Sequence, residues 1–306
     1  MSDQQRPGII IDMGSNTFHL LIAVLQQDEL AVLHKEKTFV HLGEGGLGHL
    51  TGAAVKRAMQ TLTRYKKIAL QYPSASIRLY ATAALREADN TAEFISMVEQ
   101  ELGWKVDIIS GREEARLIYK GVLSASRTLP GEGLIMDIGG GSVEFIHFRD
   151  GGMKWSNSYD IGANVLEQYR YSDPLDKDDI NSILRFITAK LTPLKQYIAQ
   201  HAARPLPLIG ASGSFETLAS MVSPSNPASQ IAPSTFEELY ERLLPTTLEE
   251  RLQMEGLPEK RAGYIVLAML LCKYVLSLTK SREILISRGA LKEGAMWELL
   301  RESPIL

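Results

Sequence analysis

The chain has 306 residues, 45% of them apolar and 23% charged, which is an ordinary composition for a soluble globular protein. Its 33 Lys and Arg against 36 Asp and Glu give a net charge of −3, so there is no bulk basic field to favour non-specific nucleic-acid binding. The length points to two domains, because single cores rarely grow beyond about 250–300 residues.

In chain order, strands are predicted over 9–12, 18–25 and 30–40, followed by a turn-rich stretch at 42–48. A helix is predicted over 53–71, with Lys56, Arg57, Arg64, Lys66 and Lys67 making it basic enough to guide a polyanion, although most charged helix faces are simply solvated. A strand at 76–82 precedes a helix capped by Asn90 and running through Glu101, then a strand at 106–109. Ser110 and Gly111 open the next helix, with Glu113 and Glu114 in its first turn. The second half reads as strands at 134–138, 143–148 and 153–159, with a hairpin turn on Asp150, Gly151 and Gly152. Helices at 162–170 and 177–200 follow, then a strand at 207–209 running into Gly210, Ala211, Ser212, Gly213 and Ser214. A Pro/Ser-rich stretch (223–234), a mostly helical region, a strand at 283–287 and a helix at 291–301 complete the chain. The divide falls near 120–132, giving domains 1–125 and 126–306, with the closing helix either staying in the second domain or packing back on the first. The longest apolar run, 264–278, is interrupted by Lys273 and is shorter than the roughly 20 residues of a membrane span, so it reads as a buried helix. The opening residues are polar and lack a signal-peptide core, and the single cysteine, Cys272, forms no internal disulfide. A cytoplasmic protein with no membrane partner is the expectation.

Two stretches share one pattern: Ile9-Ile10-Ile11-Asp12-Met13-Gly14-Ser15-Asn16-Thr17 and Leu134-Ile135-Met136-Asp137-Ile138-Gly139-Gly140-Gly141-Ser142. Each is an apolar strand, of the kind covered on both faces, ending in Asp and turning on glycine with a hydroxyl residue behind. Glycine lets the backbone approach a ligand, and its N–H groups can point at phosphate oxygens. The terminal Asp can hold a divalent cation through water. Successive glycines in one place are simply a sharp turn, but the repetition points to a duplicated phosphate-binding fold. The six histidines are dispersed and form no metal pattern, with His19 and His147 reading as structural, and no Gly-x-Ser-x-Gly elbow supports a serine hydrolase.

Five segments in order resemble the exopolyphosphatase/guanosine pentaphosphate phosphohydrolase family, within the actin/sugar-kinase/heat-shock-protein ATPase superfamily. These are Asp12-Met13-Gly14-Ser15-Asn16-Thr17-Phe18-His19-Leu20, Ala81-Thr82-Ala83-Ala84-Leu85-Arg86, Ile109-Ser110-Gly111-Arg112-Glu113-Glu114-Ala115-Arg116, Asp137-Ile138-Gly139-Gly140-Gly141-Ser142-Val143-Glu144, and Ser287-Arg288-Gly289-Ala290-Leu291-Lys292-Glu293-Gly294. His41 stands where many members carry Arg, and Gly263 where Asp is common. The chain given also stops short of the helical C-terminal region of longer members, so processive action on long polyphosphate is not expected of it.

The resemblance implies an α/β fold of two ribonuclease H-like domains, the actin-like ATPase duplicate fold, with an interdomain cleft. It implies removal of terminal phosphate from inorganic polyphosphate, or of the 5′ γ-phosphate of guanosine pentaphosphate, with Mg²⁺. Glu114 is the implied general base and Arg86 the group that neutralises phosphoryl charge. Gly14, Ser15, Asn16 and Thr17 would hold one phosphate, Gly139, Gly140, Gly141 and Ser142 another, and Gly210, Ser212, Gly213 and Ser214 would complete the wall of the cleft. Asp137 and Glu144 are the implied Mg²⁺ ligands, with Asp12 as a third anchor. Guanosine tetraphosphate is a further candidate ligand, and a homodimer is left open. Two other readings remain: an alarmone- or nucleotide-binding regulator with little turnover, and a kinase of the same superfamily.

Overall fold

A computed structural model describes residues 6–126, 128–170 and 172–302. By its internal contacts the chain divides into two compact units, Met1–Arg127 with Gly289–Leu306, and Thr128–Arg288.

The first unit begins with β1 (Gly8–Met13), β2 (Thr17–Gln26) and β3 (Glu29–Phe39), followed by α1 (Gly52–Ala69), β4 (Ser76–Ala81), α2 (Ala83–Glu87), α3 (Thr91–Leu102), β5 (Val106–Ile108) and α4 (Gly111–Ala125). Ile9, Ile10 and Ile11 of β1 are wholly buried, as the apolar run requires of a central strand. Ile9 and Ile11 enter a cluster with Ala58 and Leu62 of α1 and Phe94 and Val98 of α3. Burying each such Leu or Ile is worth about 1.5–3 kcal/mol. Tyr65 of α1 is buried in the same cluster, donates from its hydroxyl to the Phe18 carbonyl at 3.1 Å, and has its phenol pushed up to about 12 by burial.

The second unit carries β6 (Glu132–Ile138), β7 (Val143–Arg149), β8 (Gly152–Tyr159), α5 (Ala163–Glu167), α6 (Lys177–Lys190), α7 (Thr192–His201), β9 (Leu208–Ala211), α8 (Ser212–Val222), β10 (Gln230–Ile231), α9 (Pro233–Leu243), α10 (Leu248–Leu252), α11 (Glu259–Ala262), α12 (Ile265–Thr279) and β11 (Ile284–Ile286). The last helix, α13 (Leu291–Glu302), packs on β1, β2 and α4 and so belongs to the first unit. The apolar run before β11 is the core helix α12, with Cys272 fully buried and its thiol pushed up by desolvation. Among the described residues no helix is long and apolar enough to cross a membrane.

The sheets match strand for strand. The first has the order β3-β2-β1-β4-β5 and the second β8-β7-β6-β9-β11, with β10 added at its edge. In each, the first two pairings are antiparallel and the next two parallel. The α/β fold is therefore the expected ribonuclease H-like duplicate.

Several local expectations change. The helix predicted over 177–200 is two helices, because Pro193 cannot donate to a continuing ladder and its ring clashes with the carbonyl four residues back. The helix predicted over 162–170 shortens to α5, and α2 was not anticipated. Asn90 stands at the start of α3 but does not cap it; its side chain instead pairs with the Leu50 backbone, accepting from Leu50 N and donating to Leu50 O, both at 2.9 Å.

The basic face of α1 is largely committed to packing. Arg57 binds the Val40 and His41 carbonyls, Arg64 binds Thr38 and Glu36, and Lys66 donates to Leu102 O at 2.9 Å. Lys56 and Lys67 are exposed.

At the start of β6, Glu132 accepts from His147 at 2.9 Å, Arg149 at 2.6 Å and the Ala203 amide at 3.2 Å. His147 is buried and completes its pairing with Tyr197 at 2.8 Å, so it is structural, as expected. Burial pushes the Glu132 carboxyl up, but those hydrogen bonds outweigh it and bring it down to about 2. A depressed folded value means that the ionised group stabilises the fold above the usual 4.5. That stability drains away as pH falls from 4.5 towards about 2. Urea unfolding between these limits should show a shallower loss of stability in Glu132→Gln than in wild type; equal slopes would remove Glu132 from the acid limb.

Candidate active site

In the first unit, three connections leave the carboxyl ends of adjacent parallel strands, the edge where open α/β sheets bind ligands. After β1, the Gly14 amide closes on the Thr17 carbonyl at 3.1 Å. Ser15 and Asn16, both buried, form the turn. After β4 comes Thr82, whose amide reaches Met13 O, and then α2 with Arg86. After β5, Ile109 N bonds Ala81 O at 3.0 Å, and Ser110 caps α4 by accepting from Glu113 N at 3.2 Å. The first turn of α4 is thereby delivered beside α2.

The two neighbouring glutamates part ways there. Glu114 is 7% exposed, and its Oε2 accepts from Arg86 Nη1 at 3.3 Å. The same Nη1 donates to Ile109 O at 3.0 Å. Glu113 turns to Arg116, whose hydrogen bonds hold its carboxyl below the usual carboxylate range, and Arg116 and Lys120 both reach Glu298 of α13. One carboxylate is thus buried and held by Arg86, and the other belongs to a partly exposed ion-pair network.

The second unit repeats the edge. After β6, Gly139 N closes on Ser142 O at 3.0 Å, the counterpart of the Gly14 closure. After β9 come Ser212 and Ser214: Ser212, at φ +60°, donates to Asp137, and Ser214 donates to Ile138 O at 3.3 Å. Gly213 lies between them in the first turn of α8, and Gly210 is buried in β9. Asp137 stands directly across from Glu144 in the antiparallel β6–β7 pair, so both carboxylates lie on one face of the sheet. They are 7% and 1% exposed, and Glu144 accepts from Ser158 of β8 at 2.7 Å.

Asp12 occupies the equivalent position in β1, but its partner across the β1–β2 pair is His19. The paired-carboxylate arrangement is thus found at 137 and 144 and is not repeated at 12 and 19. Among the described residues no group of three or more His, Cys, Asp or Glu is arranged to hold a metal. Two buried carboxylates on one sheet face still fit Mg²⁺, which keeps several waters and shares a sparse protein shell with substrate phosphates.

What the sequence did not disclose is how the loops are braced. Each has its carbonyls occupied by amides from a second segment. Val40 N and His41 N both donate to Asn16 O, and Gly43 N to Ser15 O, all at 2.9 Å. In the other unit, Gly162, Ala163 and Asn164 donate to Gly141, Gly139 and Gly140. A Cβ on Gly162 would lie 2.4 Å from Gly140 O, so only glycine permits that approach. Ser158, which orients Glu144, was equally unmarked; strand register alone reveals it.

A chain that builds the same ribonuclease H-like sheet twice, with a glycine turn behind an Asp on the first strand of each, is of the duplicated α/β class. The sequence model of the Ppx/GppA phosphatase family matches residues 21–303, and the chain belongs to that family. The chain is similar to the crystal structure of an exopolyphosphatase from Cytophaga hutchinsonii, with 34% identity and a TM-score of 0.91, covering 97% of this chain and 99% of the other. The Ppx/GppA family member from Aquifex aeolicus shares the fold at 23% identity and a TM-score of 0.81, over 97% and 99% of the two chains. The protein is accordingly a phosphohydrolase.

Proposed function

We propose that this phosphohydrolase removes the terminal phosphate of inorganic polyphosphate, the 5′ γ-phosphate of guanosine pentaphosphate being the second substrate on the same chemistry. The observation that carries the reading is the buried Glu114, held by Arg86 on connections that leave the same sheet edge as the first loop, while its neighbour Glu113 is engaged elsewhere. Polyphosphate comes first because the 34%-identical relative is an exopolyphosphatase.

Glu114 takes the proton of a water whose oxygen attacks the terminal phosphorus. The bond to the bridging oxygen breaks, and the shortened chain leaves with that oxygen. Arg86 orients Glu114 through Nη1, and its planar guanidinium would neutralise charge that develops on the phosphoryl group. Amides at 15–17, 140–142 and 212–214, with the hydroxyls of Ser15, Thr17 and Ser142, would hold phosphates and position them, which is most of what phosphoryl transfer asks of a protein; Gly14 and Gly139 shape the two turns. Asp137 and Glu144 would hold Mg²⁺, which when bound supplies charge neutralisation on the phosphates. Asp12 would be a third anchor for the same ion.

The test is phosphate release from tripolyphosphate, long polyphosphate and guanosine pentaphosphate, each with and without Mg²⁺. Release that needs Mg²⁺ and is fastest from a polyphosphate is the expected result. Tight alarmone binding by folded protein without release from any of the three would replace this reading with a regulator. Transfer of labelled phosphate from ATP to an acceptor would replace it with a kinase.

A further inference from the structure

We infer that Arg57, on the second turn of α1, is a positioning residue for the first phosphate loop. The inference rests on the phosphate-binding reading of residues 14–17. Arg57 Nε donates to Val40 O at 2.8 Å and Nη2 to His41 O at 3.3 Å. Those carbonyls belong to the two peptide planes on either side of His41, so one guanidinium fixes both the φ and the ψ of that residue. His41 needs the help: its φ is +50°, a left-handed conformation that costs a side-chain-bearing residue about 1–2 kcal/mol. Glu44 closes the assembly, pairing with Arg57 at 2.5 Å and accepting from the α1 cap residue Thr51 at 2.9 Å.

The consequence reaches the loop through peptide geometry. In a trans peptide the C=O and N–H point in opposite directions. Holding Val40 O on the α1 side therefore aims the His41 N–H away from α1, and it lands on Asn16 O at 2.9 Å. Asn16 O, so held, turns the Thr17 N–H to the other side of its own plane. The Gly43 N–H does the same to the plane of Ser15 O, orienting the Asn16 N–H. A chain of polarised peptide groups thus runs from the Arg57 charge to the amides of the glycine turn. In the second unit the bracing amides come from the start of α5; segment 40–43 lies outside any helix or strand, and Arg57 supplies the rigidity that a helix supplies there.

Removing Arg57 should therefore weaken phosphate binding while leaving the chemical step intact. In Arg57→Gln, KM for the hydrolysed substrate should rise about tenfold with kcat within about threefold, the signature of lost preorganisation. Arg57→Lys, a point charge unable to span both carbonyls, should fall between the two. Lys66→Ala on the same helix, which loses only the bond to Leu102 O, should lower stability without moving KM. Binding of pyrophosphate to the same variants, measured by calorimetry, is a readout independent of turnover. A tenfold loss in Arg57→Gln with none in Lys66→Ala supports the inference even if no substrate is hydrolysed and the hydrolase reading fails. Equal pyrophosphate affinity in wild type and Arg57→Gln, or an equal loss in Lys66→Ala, overturns it while leaving the hydrolase reading standing.

Discussion

Glu114→Gln should lower phosphate release by about 10²–10⁴-fold, the usual contribution of a general base, with the fold intact. The amide keeps the volume of the carboxylate and an oxygen that accepts from Arg86 Nη1, so the 7%-exposed site loses basicity and charge but little packing. Glu113→Gln is the matched control on the next residue of the same helix. Its carboxylate is committed to Arg116, which also has Glu298, so its loss should cost only the small energy of a partly exposed ion pair and leave release within a few fold. Steady-state release with circular dichroism on all three proteins decides the matter. An equal collapse in both variants, or full activity in Glu114→Gln, would falsify the assignment of the base.

The second large effect is on the fold that carries that base. Gly121→Ala should destabilise the first unit by about 3 kcal/mol or more, at or beyond the upper end of ordinary overpacking. A Cβ there would lie 1.9 Å from Ala290 O and 2.7 Å from its carbonyl carbon, both backbone atoms that cannot rotate away. Gly294 of α13 makes the reciprocal approach, where an added Cβ would lie 1.9 Å from Leu117 O of α4, so the two segments meet backbone to backbone and must separate to admit a methyl. Because Glu114 is one of the first residues of α4, activity should fall with stability. Gly131→Ala, with nothing within 4 Å of the added carbon, should be close to neutral. Urea unfolding of the two variants checks the contrast; similar midpoints would mean that α4 and α13 yield more easily than their backbones imply.

Much of this fold is legible in the sequence. The β1 and β6 runs identify themselves because a strand buried on both faces needs an unbroken apolar sequence, and the Asp and glycine turn behind each marks the duplication. The segment marks Glu114 as the candidate base, and the separate surroundings of Glu113 and Glu114 follow from adjacent positions on a helix. The failures have physical causes as well. Asn90 has the chemistry of a cap, but the Leu50 backbone, 40 residues away in sequence, offered two hydrogen bonds and won its side chain. Of the basic residues of α1, Arg57, Arg64 and Lys66 are held by carbonyls, a hydroxyl and a carboxylate brought in from other elements, which helical periodicity does not reveal, while Lys56 and Lys67 stay exposed.

What the sequence by itself determined was local: the periodic elements, the turn chemistry and the two matching loops, all of which depend on residues near one another in the chain. The tertiary structure decided what depends on register and close approach. The β6–β7 pairing sets Asp137 against Glu144, while the equivalent β1–β2 pairing sets Asp12 against His19. The absence of a Cβ at Gly121, Gly162 and Gly294 lets backbones meet. Hydrogen bonds across long sequence separations turn the loop peptides, and such bonds leave no periodic trace because either partner needs only a backbone carbonyl or amide, which every residue but proline provides in full.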